Sequence, residues 1–303
     1  MSALLWRRGR QAVALCALLL CCGLAMARGP LYLWELRDAD GALRAWLYGT
    51  IHVCDAACFP LPAEVRGALE GADSLALELD PDDPELGPRL GEAAALPEGA
   101  RLDALLPAAL RPRLAAVAAR SGVPDAMLQR LQPWMANAVL SLRAAQIAGF
   151  SVDQGVDLWL ARAIRARGQA PWALERVERQ VAAMQAGGPA AQVASLAETV
   201  ALIESGGAEA YFGAMLEAWR HGDVARMDYL MREEIGSPEM APLMAELLDR
   251  RNVEMADAIV ARLEAGKRPF VAVGAGHFGG AGGLLELLAA RGFRLRQVES
   301  AAD

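Results

Sequence analysis

A chain of 303 residues, 54% hydrophobic and 22% charged, has room for one large domain or two ordinary ones and is too apolar to remain disordered. Its net charge of −7, with no basic tract in the body of the chain and Lys267 as its sole lysine, opposes phosphate backbones and excludes nucleic acid as an expected partner.

The first 27 residues differ from the rest. Arg7, Arg8 and Arg10 precede the apolar run AVALCALLLCCGLAM, and Ala25-Met26-Ala27 has the small-x-small form of a cleavage site. This reads as a secretory signal cut after Ala27. The run is shorter than the roughly 20 residues that a membrane span requires, and the residues before Cys21 and Cys22 lack the small side chains of a lipid-modification motif. The expected product is a periplasmic or secreted protein with no stable membrane span. Cys16, Cys21 and Cys22 leave with the signal, so Cys54 and Cys58 are expected to pair in an oxidising compartment and to stiffen the segment that carries His52. His52, Cys54 and Cys58 offer donor atoms for a soft metal as an alternative, but four-residue cysteine spacing is not that of a zinc knuckle.

The body of the chain opens with a hairpin: an apolar run from Leu31 to Leu36, a turn at Asp40-Gly41, and a second run from Leu43 to Tyr48. A helix is expected over Pro62–Leu69, and SLALELD, residues 74–80, has the look of a buried strand. Residues 81–100, with Pro81, Pro84, Pro88 and Pro97, read as a surface loop. From 101 to 268 the pattern is helical, interrupted at Ser121-Gly122, Gly149, Gly168, Gly187-Gly188, Gly206-Gly207 and Gly236, with a possible strand at QAPWALE, residues 169–175. The end alternates again: strand 269–274, helix 282–292, strand 293–298. The expectation is one α/β domain over 28–303, its sheet formed by segments 28–80 and 269–303, with a large helical insertion between them.

The chain has three histidines, and two of them stand in the same setting. Gly49-Thr50-Ile51-His52 follows the strand RAWLY, and Gly274-Ala275-Gly276-His277 follows FVAV. Glycine permits close backbone approach, and the carboxyl edge of an open α/β sheet is where ligands bind. Imidazoles there suit a divalent metal or acid–base work, although each could also merely cap its strand. Glu78 is the third candidate: it lies between Leu77 and Leu79, where a buried carboxylate needs a counter-charge. Glu175, at the end of PWALE, and Arg251-Asn252, on the helix before the second motif, are weaker candidates for substrate contacts. Trp134 and the WRHGD stretch at 219–223 read more simply as packing, and Asp153 and Asp157 as helix-start residues.

The pairing of LYGTIHV with FVAVGAGHFGGAGGLLELLAARGFRLRQV resembles the TraB/GumN family, related to the Tiki metalloproteases. LPAEVRGALEGADSLALELD, QPWMANAVL, QGVDLWLARAIRARGQAPWALERVERQ, AWRHGD and DRRNVEMADAI follow in the same order, so the likeness spans nearly the whole chain after the signal. The resemblance implies a Tiki-like α/β fold and a divalent-metal site in which His52, His277 and Glu78 take part. It also implies Mn or Co peptide hydrolysis in the Tiki branch, while the imidazoles by themselves suit Zn as well. Phe278, where the family often has Leu, and Arg176, where it often has Thr, are departures, and the second puts the role of that loop in question. The expected function is therefore metal-dependent hydrolysis of a peptide or other small substrate, with Glu78 as ligand or general base. The competing readings are a metal-free histidine base oriented by Glu78, and a binding protein for a metal, a haem-like cofactor or a peptide.

Overall fold

The structure is a computed structural model that describes residues 29–232 and 237–301. The signal segment expected over 1–27 lies outside the described residues. Six strands form one sheet: β1 (Pro30–Arg37), β2 (Leu43–Thr50), β3 (Ser74–Leu77), β4 (Trp172–Ala173), β5 (Pro269–Gly274) and β6 (Arg294–Glu299). Their order is β4-β3-β5-β2-β1-β6. β4, β3, β5 and β2 run parallel, while β1 pairs antiparallel with both β2 and β6. Strands from the two ends of the chain thus meet in one sheet, and a mostly helical middle lies between them.

The expected hairpin forms because Asp38 organises its turn. One carboxylate oxygen accepts the N–H groups of Asp40 and Ala42, and Gly41 takes the left-handed conformation at φ 85°. β3 and β5 are apolar nearly throughout because both faces are covered, as parallel strands require: Leu75, Ala76, Phe270 and Val271 are fully buried. β6 is an edge strand on which Arg294, Arg296 and Glu299 face outward, which discourages pairing with another chain.

A second apolar cluster lies away from the sheet, built from Leu102, Leu106, Leu110, Leu114, Val117, Leu128, Leu140, Leu196 and Val200. Leu110, Leu114 and Val117 fall on one stripe of the helix Leu110–Arg120, so this part of the middle region has its own helical core.

Three boundaries differ from the sequence reading. β3 ends at Leu77, so Glu78 is the first residue past the strand rather than a strand residue. The 81–100 stretch contains the helix Leu86–Ala94; Pro88 is tolerated because it lies in the first turn, where an N–H has no intrahelical acceptor. The possible strand at 169–175 contracts to Trp172–Ala173, which pair in register with Ala76 and Leu77, while Leu174 N and Glu175 N still donate to Leu77 O and Glu78 O beyond the ladder.

Candidate metal centre

The carboxyl ends of the parallel strands bring the sequence candidates together. β2 leads to His52, β3 to Glu78, β4 to Glu175 and β5 to His277. An idealised Cβ on Gly274 would lie 3.2 Å from Glu78 Oε1, 3.6 Å from His52 Nε2 and 3.7 Å from His277 Cδ2. The bare α-carbon of Gly274 is therefore the floor around which all three side chains gather.

The two glycines of the repeated motif serve different ends. A Cβ on Gly49 would overlap the ring of Tyr32, whose hydroxyl donates to Ala275 O at 3.0 Å and so ties β1 to the second motif. Trp219 Nε1 also donates to Gly49 O at 2.7 Å. Gly49→Ala should cost about 1–3 kcal/mol by overpacking, measured by denaturant unfolding. Gly274→Ala, at φ −50° and ψ 136°, meets no backbone strain. It should leave stability close to wild type while lowering divalent-metal affinity about 10–100-fold, measured by calorimetric titration.

His277 is 4% exposed. Its Nδ1 lies 2.6 Å from Asn252 Oδ1, and Asn252 Nδ2 donates to Gly282 O at 2.9 Å. The second bond turns the amide oxygen towards the ring. His277 Nδ1 must then carry the proton, leaving the Nε2 lone pair to face Glu78, whose Oε2 is 3.7 Å away. Burial drives this imidazole down to about 4, against the upward pull of Glu78, so it is neutral at pH 7.

His52 stands at the opening, its side chain 66% exposed. Asp157, in the first turn of the helix Val156–Ala166, places Oδ2 3.4 Å from His52 Nδ1. The helix is brought close by Val156 N, which donates to Ile51 O at 3.0 Å, and by Gly155, where a Cβ would come within 2.7 Å of His52 O. Dehydration by the surrounding protein pulls the imidazole down, but the hydrogen-bonding carboxylate of Asp157 and the charge of Glu78 outweigh it and carry the ring up to about 9.

Glu78 is 9% exposed and fully engaged. Oε1 accepts the Gly274 N–H at 2.7 Å; Oε2 accepts from Arg251 Nη2 and, at 3.5 Å, from Gln180 Nε2. Burial alone would raise this carboxyl, but His277, Arg251, His52 and the Gly274 N–H hold it at about 2. Arg251, 4% exposed, spans two carboxylates: its Nη2 reaches Glu78 and Glu175, its Nε donates to Glu175 Oε2 at 2.9 Å, and its Nη1 donates to Leu247 O at 2.9 Å. Burial raises the Glu175 carboxyl despite this pairing. A π-helical segment, Ala245–Arg250, immediately precedes the helix Arg251–Glu264. Such insertions recur at functional sites. From the start of that helix Arg251 reaches the carboxylates while its neighbour Asn252 reaches His277.

The charge balance favours a cation. Against the carboxylates of Glu78, Glu175 and Asp157 stand the guanidinium of Arg251 and, below about pH 9, the imidazolium of His52, which leaves one negative charge, or two once an incoming ion has displaced the His52 proton. Arg179 is occupied by Glu246 and Glu254, and Arg232 by Asp228 and Asp249. A divalent ion would offset the surplus, and two nitrogens with a carboxylate oxygen suit Mn, Co or Zn. Ligand atoms of His52, Glu78 and His277 are more widely spaced than those of Cys54, Asp55 and Cys58, the one such group among the described residues whose candidate atoms lie within 4.8 Å of one another. The sulfurs of that group are joined as a disulfide, which removes its thiolate donors.

Asp157 and Gln180 join the centre without having been singled out for it. Asp157 reads equally well as a helix-start acid, and nothing in the local pattern of either residue points across the fold. The third histidine stays apart: His221 ends the helix Ala208–Arg220, its exposed ring 2.8 Å from Glu217 O. Trp134 is buried at the start of the helix Pro133–Ile147. A cleft of about 290 Å³ adjoins the centre through Glu175 and is lined by apolar Leu79, Ala173 and Val177 and by charged Asp80, Asp83 and Arg89 among others.

The family model described as the TraB/PrgY/gumN family matches residues 32–297. No curated protein and no solved structure matches the chain.

Proposed function

The chain belongs to the TraB/PrgY/gumN family, and from that premise we propose that it is an exported metal-dependent hydrolase, peptidase-like, with a divalent ion held by His52, Glu78 and His277. One observation carries the reading: each imidazole has its Nδ1 directed to an oxygen acceptor, Asp157 or Asn252, and its Nε2 directed to the space beside Glu78. Outer partners of this kind fix ring orientation in metal sites. Export rests on the N-terminal signal pattern. Among the described residues no helix is long and apolar enough to cross a membrane.

The chemistry such an ion supplies when bound is a water of lowered pKa and a polarised carbonyl. The residues divide the remaining work. Glu78, held at about 2, is too weak a base to take a proton efficiently near neutrality and serves as a ligand. Arg251 helps to keep Glu78 ionised and opposes the upward push of burial on Glu175, and Asn252 keeps His277 in the Nδ1–H tautomer. The adjoining cleft, lined by both apolar and charged side chains, would receive part of a peptide or another small substrate. The wide spacing of the three ligand groups favours a second reading, a binding protein for a metal, a haem-like cofactor or a peptide, in which the centre closes on its ligand without turnover.

Elemental analysis of the folded protein, followed by a peptide and ester turnover screen with Mn, Co and Zn and with chelator, tests both. Stoichiometric metal with chelator-sensitive turnover supports hydrolysis; metal without turnover supports binding; absence of metal affinity removes both metal readings.

Proton competition gives a pH prediction. His52 is carried above its ordinary value by Asp157 and Glu78 to about 9, so an incoming ion must displace its proton at any lower pH. His277 at about 4 and Glu78 at about 2 are already deprotonated above pH 5. Apparent affinity should therefore rise up to about tenfold per pH unit between pH 6 and 8 and level off near 9, and His52→Ala should abolish this slope. Titrations at fixed ionic strength measure it.

A further inference from the structure

We infer that the Cys54–Cys58 disulfide is a positioning element for His52 and Asp157, so that its reduction loosens one half of the centre and leaves the other intact. The inference rests on reading His52 as a ligand.

Past Thr50 the chain leaves the sheet, and what holds it thereafter is a short, heavily anchored loop. Cys54 exchanges two backbone hydrogen bonds with Ser151: its N–H donates to Ser151 O at 3.1 Å, and Ser151 N donates to Cys54 O at 2.8 Å. The disulfide closes Cys54 onto Cys58, with Cα atoms 6.3 Å apart and both side chains buried. Within the closed loop Asp55 Oδ1 accepts the Ala57 N–H at 2.9 Å and faces Arg220 Nη2 at 3.2 Å.

The Ser151 contact matters because Ser151 opens the segment that ends at Asp157. Ser151 Oγ accepts the Asp153 N–H at 3.2 Å, Gly155 abuts His52 O, and Val156 bonds Ile51. The same closed loop thus holds His52 from its C-terminal side and holds the turn that presents Asp157 to it. At 3.4 Å the His52–Asp157 contact is long, so its geometry depends on these backbone anchors. His277 is set by Asn252 and Gly282, on other elements.

Reduction proceeds by thiol–disulfide exchange with a small dithiol. The bond between the two sulfurs breaks, each sulfur gains one electron and one proton, and the dithiol is oxidised to its own disulfide.

The test is Mn titration of the folded chain in five forms: oxidised wild type, dithiol-reduced wild type, the double variant Cys54→Ser with Cys58→Ser, His52→Ala with the disulfide intact, and the double variant carrying His52→Ala. Affinity should fall about 10–100-fold on reduction and in the double variant. In a His52→Ala background the further loss of the disulfide should change affinity less than twofold, since the coupling runs through that ring. Unchanged affinity on reduction, or an equal loss with His52 absent, overturns the inference. If oxidised wild type binds no Mn, the metal reading fails separately. Hydrogen exchange at the Cys54 and Ser151 amides then decides: lost protection on reduction supports the positioning role, and unchanged protection overturns it.

Discussion

Replacing Arg251 with Met should lower stability by about 3–5 kcal/mol, the range for breaking a buried ion pair from one side, and lower the melting temperature by about 6–20 °C. The guanidinium is 4% exposed and is the cation shared by Glu78 and Glu175. Methionine fills much of the volume but leaves two dehydrated carboxylates facing each other across neighbouring strand ends. The loss should be pH-dependent in a defined direction. In the wild type Glu78 is held at about 2, below its ordinary 4.5, so its pairing stabilises the fold above 4.5 and that contribution disappears as pH falls towards 2. Without Arg251 the Glu175 carboxyl, already raised by burial, loses the guanidinium that lowers it and rises further, and its protonation on acidification relieves the repulsion. The wild-type advantage should therefore be largest near pH 7 and shrink on acidification. Adding Glu175→Gln to Arg251→Met removes one orphaned charge and should recover at least about half of the deficit, since deleting both partners of a buried pair is far less costly than deleting one. Denaturant unfolding at several pH values measures all of this. A loss below 1 kcal/mol at pH 7, or one that grows on acidification, would contradict the electrostatic role.

The signals legible in the sequence were those confined to one segment. The hairpin showed because its apolar runs flank Asp40-Gly41, and β5 because PFVAVG is short and continuous. His52 and His277 stood out because the same Gly-x-x-His device follows a strand twice in a chain with three histidines. What lay hidden depended on contacts between distant segments. Glu78 read as a strand residue because SLALELD returns to leucine at Leu79, but the ladder with β5 and β4 ends at Leu77, and pairing is decided by those neighbours, not by hydropathy. The helix Leu86–Ala94 hid beneath four prolines, although the one inside it lies where proline does no harm. Asp157 sits 105 positions after His52 and looks like any acid in a first helical turn; only the docking of Gly155 on His52 O reveals its orientation. Arg251 and Asn252 were legible only as weak candidates for substrate contacts; their bonds to Glu78, Glu175 and His277, and the π-helical segment that precedes them, leave no sequence mark of their own.

Alanine at His52 and at His277 should separate a ligand role from a packing role, because the two rings differ in burial. His52→Ala removes a side chain that is 66% exposed, so stability without metal should change by no more than about 0.5 kcal/mol at pH 9 and above, where the ring is neutral and its charge contact with Asp157 and Glu78 is absent. Affinity for Mn or Co should nevertheless fall by at least about 100-fold, the upper end of what losing even an outer-sphere partner costs. At a metal concentration one hundred times the wild-type Kd, bound ion should stabilise the wild type by about 2.7 kcal/mol and the variant by less than about 0.5 kcal/mol. His277→Ala should lose affinity to the same degree and lose stability as well, since it opens a cavity at a buried position and strands the Asn252 oxygen that faces Nδ1 at 2.6 Å. If GxxH were only a way of ending a strand, the order would reverse: His52→Ala would be silent in every assay, and His277→Ala would destabilise the fold with no change in metal affinity per folded molecule. The exposed ring is therefore the sharper probe, because a side chain that faces solvent contributes little to packing, and a large loss of affinity on its removal has no explanation other than contact with the ion.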